Sequence, residues 1–131
     1  MPPRRTKAPA VEPVPMAGVS QDRVLWQWLV NVFPRWRAGA SWDQWPPQLQ
    51  ACLPMLIAAV ADELRRNRSE TISIRGTVSA WHWVSEWLLK LCWNERIARR
   101  DRALFAEIGR AITVAIAPHY TLSSIESEEA A

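Results

Sequence analysis

Residues 78–93, "VSAWHWVSEWLLKLCW", place four tryptophans, Trp81, Trp83, Trp87 and Trp93, in one apolar stretch without glycine or proline. The 3.6-residue recurrence of apolar positions predicts a helix from Val78 to Asn94. Winding at 100° per residue from Val78 sets Trp81, Val84, Leu88, Leu91 and Cys92 within an arc of about 220–320°, the core face. Trp87 falls at about 180°, on the margin of that face. Trp83 falls at about 140°, between Lys90 and Asn94, and Trp93 at about 60°, beside His82 and Glu86. Trp81 is thus a core residue, whereas Trp83 and Trp93 lie on the side expected to meet water. Either another layer of the chain covers them, with the segment carrying Trp42 and Trp45 the nearest candidate, or a partner does. Tryptophan is enriched at the energetic centres of protein interfaces and stacks on unpaired bases. Trp83, Trp87 and Trp93 are therefore the candidate partner-binding residues, with His82 a hydrogen-bonded flank residue.

Three further helices are predicted around this one. The first starts after Ser20, a good N-cap, with Asp22 in its first turn and Leu25, Leu29, Val32 and Trp36 as its stripe. Val24, Trp26, Trp28, Val30 and Phe33 widen that stripe until little polar surface remains, and Pro34 ends or kinks the helix. "RAGASWDQWPP" is a connector in which Ser41 and Gln44 have the spacing of a capping box. The second helix covers Pro47 to Asn67 on Leu49, Leu53, Leu56, Val60 and Leu64, with a kink at Pro54 and an Asp62–Arg66 pair on its outer face. "SETISIRGT" alternates over too few residues to pair alone and reads as an irregular link. The last helix runs from Arg102 to Ala117, stopped by Pro118. The expectation is an all-α fold: a small bundle of four helices, five if the connector forms one of its own.

The ends differ from this body in composition. Residues 1–19 contain five prolines and three basic residues, which predicts a disordered basic arm. Residues 121–131 carry three glutamates and no periodicity, which predicts a flexible acidic tail. Residues 20–120 make the single helical domain. The formal charge of +3 is segregated, with the body positive and the tail negative.

Fourteen of the sixteen basic residues are arginine, the side chain whose planar fork grips phosphate and carboxylate. Two groups are dense: Arg65, Arg66 and Arg68, and then Arg96, Arg99, Arg100 and Arg102. Both are expected at or just past a helix C-terminus, where cations complement the helix dipole by about 0.3–1 kcal/mol. Seven arginines exceed that need, and Arg96 and Arg100 would repel as i,i+4 neighbours by about 0.2–0.5 kcal/mol unless an anion lay between them. The seven are the candidate contacts to a nucleic-acid phosphate backbone.

"ISIRGTVSAW", Ile72–Trp81, resembles the segment leading into the recognition helix of helix-turn-helix DNA-binding proteins, with Ile72-Ser73 ahead of Thr77-Val78-Ser79. It departs from that pattern by one extra residue between the two halves and by Gly76 at the start of the second helix. Over these ten residues the resemblance implies a DNA-binding regulator that reads bases through Thr77 and Ser79.

Catalytic chemistry has little to work with. There is no glycine-rich phosphate loop, HExxH, GxSxG or pair of carboxylates at catalytic spacing, and only two histidines and two cysteines. Cys52 and Cys92 sit within apolar helical patterns and read as small core residues, without metal-ligand spacing. No secretory h-region is present, and the longest apolar run, Met55 to Ala61, is far below the roughly 20 residues of a membrane span. The sequence therefore predicts a cytoplasmic, non-enzymatic subunit of a larger assembly, without cofactor, metal, membrane or small-molecule substrate. In that reading tryptophans hold a protein partner or a second copy, and arginines hold the phosphates of a nucleic acid. The alternatives are the helix-turn-helix-like regulator and a protein-binding adaptor or inhibitor that takes no nucleic acid.

Overall fold

The computed structural model describes residues 14–39 and 42–130, with side chains through residue 120. The chain runs β1 (Met16–Asp22), α1 (Arg23–Ala38), a short 3-10 turn (Trp42–Gln44), α2 (Pro47–Arg66), β2 (Thr71–Thr77), α3 (Val78–Cys92) and α4 (Arg99–Ala130). The fold is mostly helical, and the all-α expectation is corrected by a two-stranded antiparallel sheet joining β1 to β2.

"TISIRGT" is a strand because a partner lies far back in the chain. Met16 stands opposite Thr77 and Asp22 opposite Thr71, with α1 and α2 inserted between the strands. Each strand alternates, placing Ala17, Val19 and Gln21 of β1 and Ile72, Ile74 and Gly76 of β2 on the buried face. Met16–Val19, within the stretch expected to be arm, therefore belong to the folded body. Residues 1–13 of that arm, and Ser41 of the suggested capping box, lie outside the described residues.

Two bonds just beyond the strands fix the ladder's phase: Arg23 N–H donates to Glu70 O at 2.7 Å, and Val78 N–H to Pro15 O at 3.0 Å. Antiparallel pairing alternates, so the odd-numbered residues of β1 exchange hydrogen bonds with β2. Met16, Gly18, Ser20 and Asp22 point their backbone groups to the opposite edge.

Ser20 is thus a strand residue, and α1 begins at Arg23 after Asp22, which makes no side-chain cap. Arg23 itself closes another helix end. Its guanidinium donates to Leu64 O and Asn67 O, carbonyls that the end of α2 leaves without intrahelical donors. The buried stripe of α1 is Trp26, Leu29 and Phe33, rotated from the expected one, and Val24 is exposed. Leu49, Leu53, Leu56, Ile57, Val60 and Leu64 of α2 are buried as the spacing predicts. Pro34, Pro54 and Pro118 all lie inside helices. A proline deletes one ladder bond: α2 and α4 run well past theirs, whereas α1 ends at Ala38, one turn after Pro34 and just before Gly39. The expected stop at Pro118 is absent, and the backbone of α4 stays helical through the stretch read as a tail.

The sheet packs its apolar face on the helices. Trp26 (0% exposed) from α1 donates its indole N–H to Ile72 O at 2.9 Å. Trp81 (2% exposed) from α3 donates to Ala17 O at 3.1 Å. Gly76 is needed at this junction, because a Cβ there would lie 3.0 Å from both Leu56 Cδ2 and Trp81 Nε1. Thr77 then caps α3, its Oγ1 accepting Ala80 N–H at 3.1 Å. Among the described residues no helix is long and apolar enough to cross a membrane.

Candidate interaction surface

The four tryptophans on and just after α3 differ in burial. Trp81 is in the core, and Trp87 joins it at 7% exposure. Trp83 is half-buried and Trp93, the C-cap of α3, is 80% exposed. What covers Trp87 is the connector and the end of α1. Its ring lies 4.9 Å from Trp36, edge-on at 79°, and 4.7 Å from Trp45. The contacts continue from Trp45 to Trp42 (4.5 Å) and from Trp36 through Phe105 to Trp28 (4.9 Å each). Six rings form one chain joining α1, the connector, α3 and α4, each pair contributing about 0.5–1.5 kcal/mol beyond its area burial.

Grooves open on either side of Trp87 and Lys90. One, about 340 Å³, runs beside Trp83, His82 and Pro46. The other, about 520 Å³, has Trp36, Trp45 and Trp87 as its floor, with Arg35 and Lys90 among its lining and no carboxylate. It adjoins a third recess, about 310 Å³, through the shared Arg35, Trp36 and Ile97, and there Arg96 and Asp101 enter the lining. Arg37 adds a guanidinium 6.0 Å from the ring centre of Trp42, a cation–π distance. Arg35, Arg37, Trp36 and Trp45 were not among the sequence candidates. The signal for three of them, Arg35, Trp36 and Arg37, is "FPRWRAG", where arginine alternates with tryptophan at the end of a helix.

The two arginine groups do not form one surface. Arg65 and Arg66 are exposed at the end of α2, both paired with Asp62 at 3.1 and 3.2 Å, and Arg66 also lies 3.6 Å from Glu63. The expected Asp62–Arg66 pair is among these. Arg65 and Arg68 line a recess beside Arg23, which opens α1. Arg96 lines a recess with Arg35, near the other end of α1. Twelve residues of helix separate Arg23 from Arg35, about 18 Å at 1.5 Å per residue.

The second group sits at a different end of a helix from the one expected. Arg99, Arg100 and Arg102 occupy the opening of α4, with Asp101 as the acidic residue of its first turn. Cations there oppose the helix dipole by about 0.3–1 kcal/mol each when exposed. Arg96 precedes the helix, its N–H donating to Asn94 Oδ1 at 2.9 Å, so it is not an i,i+4 helical neighbour of Arg100. The Nε of Arg102 is buried without a hydrogen-bond partner among the described residues.

The segment resembling a helix-turn-helix is strand followed directly by helix, with α2 ended at Arg66. The helix and turn that the resemblance implies ahead of α3 are not formed. Thr77 and Gly76 are accounted for by capping and close packing.

Both cysteines are free and half-buried. Burial pushes the Cys52 thiol above its ordinary value, partly offset by a backbone hydrogen bond. Among the described residues no three His, Cys, Asp or Glu side chains gather as a metal site would require. No known protein family matches the chain, and no curated protein or solved structure is significantly similar to it.

Proposed function

We propose that the protein is a non-enzymatic helical subunit of a larger assembly that contains nucleic acid. Exposed indole docks a protein neighbour, and arginines hold phosphate without reading sequence. The observation that supports this best is the groove on Trp36, Trp45 and Trp87, which carries Arg35 and Lys90 and no carboxylate. An aromatic floor offers stacking to planar groups, and unneutralised cations attract the phosphates attached to them. The arginines at the opening of α4 extend this basic side, since an anion there meets both guanidinium groups and the positive end of the helix. Arg65, Arg66 and Arg68 make a weaker contribution, because Asp62 and Glu63 already neutralise two of them. Trp93, at the end of α3, is the protein-docking residue.

Fluorescence anisotropy with labelled single-stranded RNA and DNA of mixed sequence, across a salt series, tests the nucleic-acid half. Binding should weaken steeply with salt and show little sequence preference. Arg35→Glu with Arg96→Glu should remove most of it, while Arg65→Glu removes little. Absence of salt-dependent binding at low ionic strength would leave the adaptor reading, with protein contacts alone.

A further inference from the structure

We propose that the protein pairs with a second copy of itself along the open edge of β1, extending the two-stranded sheet to four antiparallel strands. This is independent of the nucleic-acid reading, since the surface lies on a different side of the fold from the aromatic groove.

The ladder's phase directs the N–H and C=O groups of Gly18, Ser20 and Asp22 away from β2. Among the described residues no backbone hydrogen bond satisfies them on that side. These three residues line a groove of about 530 Å³ whose other wall is α4. Open strand edges recruit further strands unless blocked by charge, proline or a covering element, and two strands alone make a marginal sheet.

One side chain in the groove marks it as incomplete. Gln21 is only 8% exposed, and among the described residues neither its Nε2 nor its Oε1 has a hydrogen-bond partner. Buried carboxamides are ordinarily satisfied. Pairing β1 antiparallel with the partner's β1 about a two-fold axis at Ser20 sets Gly18 against the partner's Asp22 and Ser20 against the partner's Ser20. All three outward-pointing residues then fall in hydrogen-bonded positions. Gln21 stands on the inner face opposite the partner's Val19, with the partner's Gln21 as its diagonal neighbour at about 7–8 Å, within reach of long side chains. A carboxamide both donates and accepts, so the two glutamines satisfy each other reciprocally.

The wall of α4 is also self-complementary. Glu107 and Arg110 line the groove together, and neither takes part in the ion pairs of the described chain, which all lie at the end of α2. A two-fold axis requires that residue i meet j and j meet i, which opposite charges one helical turn apart allow. Val114, 69% exposed on the same wall, would be covered.

Sedimentation equilibrium of the full chain at micromolar to millimolar concentration should give twice the 15.0 kDa of one copy. Ser20→Pro removes an N–H that serves no bond among the described residues, so it should yield monomer with unchanged circular dichroism. Should that variant fail to fold, three α4 variants decide. Glu107→Arg and Arg110→Glu should each weaken dimerisation at least tenfold, and the double exchange should restore it. A wild-type chain that stays monomeric throughout, as expected if the groove takes a foreign peptide, overturns the proposal. So does a dimer that survives both a folded Ser20→Pro variant and the single charge reversals.

Discussion

Trp26 and Trp81 lie 6.2 Å apart, tilted by 40°, and each donates its indole N–H to a different strand of the sheet. The pair links two helices to β1 and β2 through a single buried contact, so aromatic packing and strand placement are one interaction rather than two.

Trp26→Phe should therefore cost more than the loss of area suggests, because Ile72 O loses the indole N–H and keeps only its ladder donor, Gln21 N–H. About 0.5–1.5 kcal/mol is expected for that bond alone, and about 3–5 kcal/mol for Trp26→Ala. Urea denaturation midpoints measure both. Equal stability of wild type and Trp26→Phe would show that the bond to Ile72 contributes nothing.

Two arginines at the C-terminal turn of α2, Arg23 reaching it from α1 and Arg65 within it, should behave differently. Arg23→Met leaves Leu64 O and Asn67 O without their charged donor, at about 1.5–3 kcal/mol. Arg65→Ala removes an exposed pair with Asp62, and about 0–1 kcal/mol is expected. Thermal melts of the two variants side by side check the order.

The tryptophans of α3 should separate by function. Trp93→Ala should change stability by no more than about 0.5 kcal/mol and, if the proposed docking role holds, should abolish capture of a protein partner in pull-downs. Trp87→Ala, which removes the ring between Trp36 and Trp45, should destabilise by about 3–5 kcal/mol. A Trp93→Ala variant that melts far below wild type would place that residue in the core instead.

The raised thiol of Cys52 has a sign that alkaline unfolding can read. The folded state keeps the proton above the pH at which the unfolded chain releases it, so unfolding is favoured as pH rises through the ordinary thiol value. Stability should fall across that window, and Cys52→Ala should flatten the fall. Cys52 should also react more slowly with a disulfide reagent in the folded chain than in guanidinium.

The helical part of this architecture is carried by local periodicity, which is why α2 and the inward face of α3 can be read residue by residue. The sheet is not local. "TISI" has no nearby partner, and its true partner carries glycine, serine and glutamine, which conceal alternation until Ala17 and Val19 are seen facing inward. Proline misleads at Pro118, read as a stop although α4 absorbs the one missing bond, whereas Pro54 lies inside α2 as the spacing had it. The candidate surface was half legible. Angles on α3 separated Trp81 from Trp93, but Trp87 is covered by Trp36 and Trp45, which no helical wheel of α3 contains. The arginines were visible as clusters, yet only tertiary structure sends Arg65 and Arg96 to opposite ends of α1 and places Arg99 at the beginning of a helix.

The pairing of β1 with β2 also orders events in time. β1 leaves the ribosome first, but its partner is made only after the span from Asp22 to Thr71 has been translated, a delay on the order of seconds at the usual 5–20 residues per second. Throughout that interval the nascent chain exposes a strand with neither edge paired while α1 and α2 can already form. The chain is thus most open to capture by chaperones, or by other nascent copies of itself, before α3 has emerged.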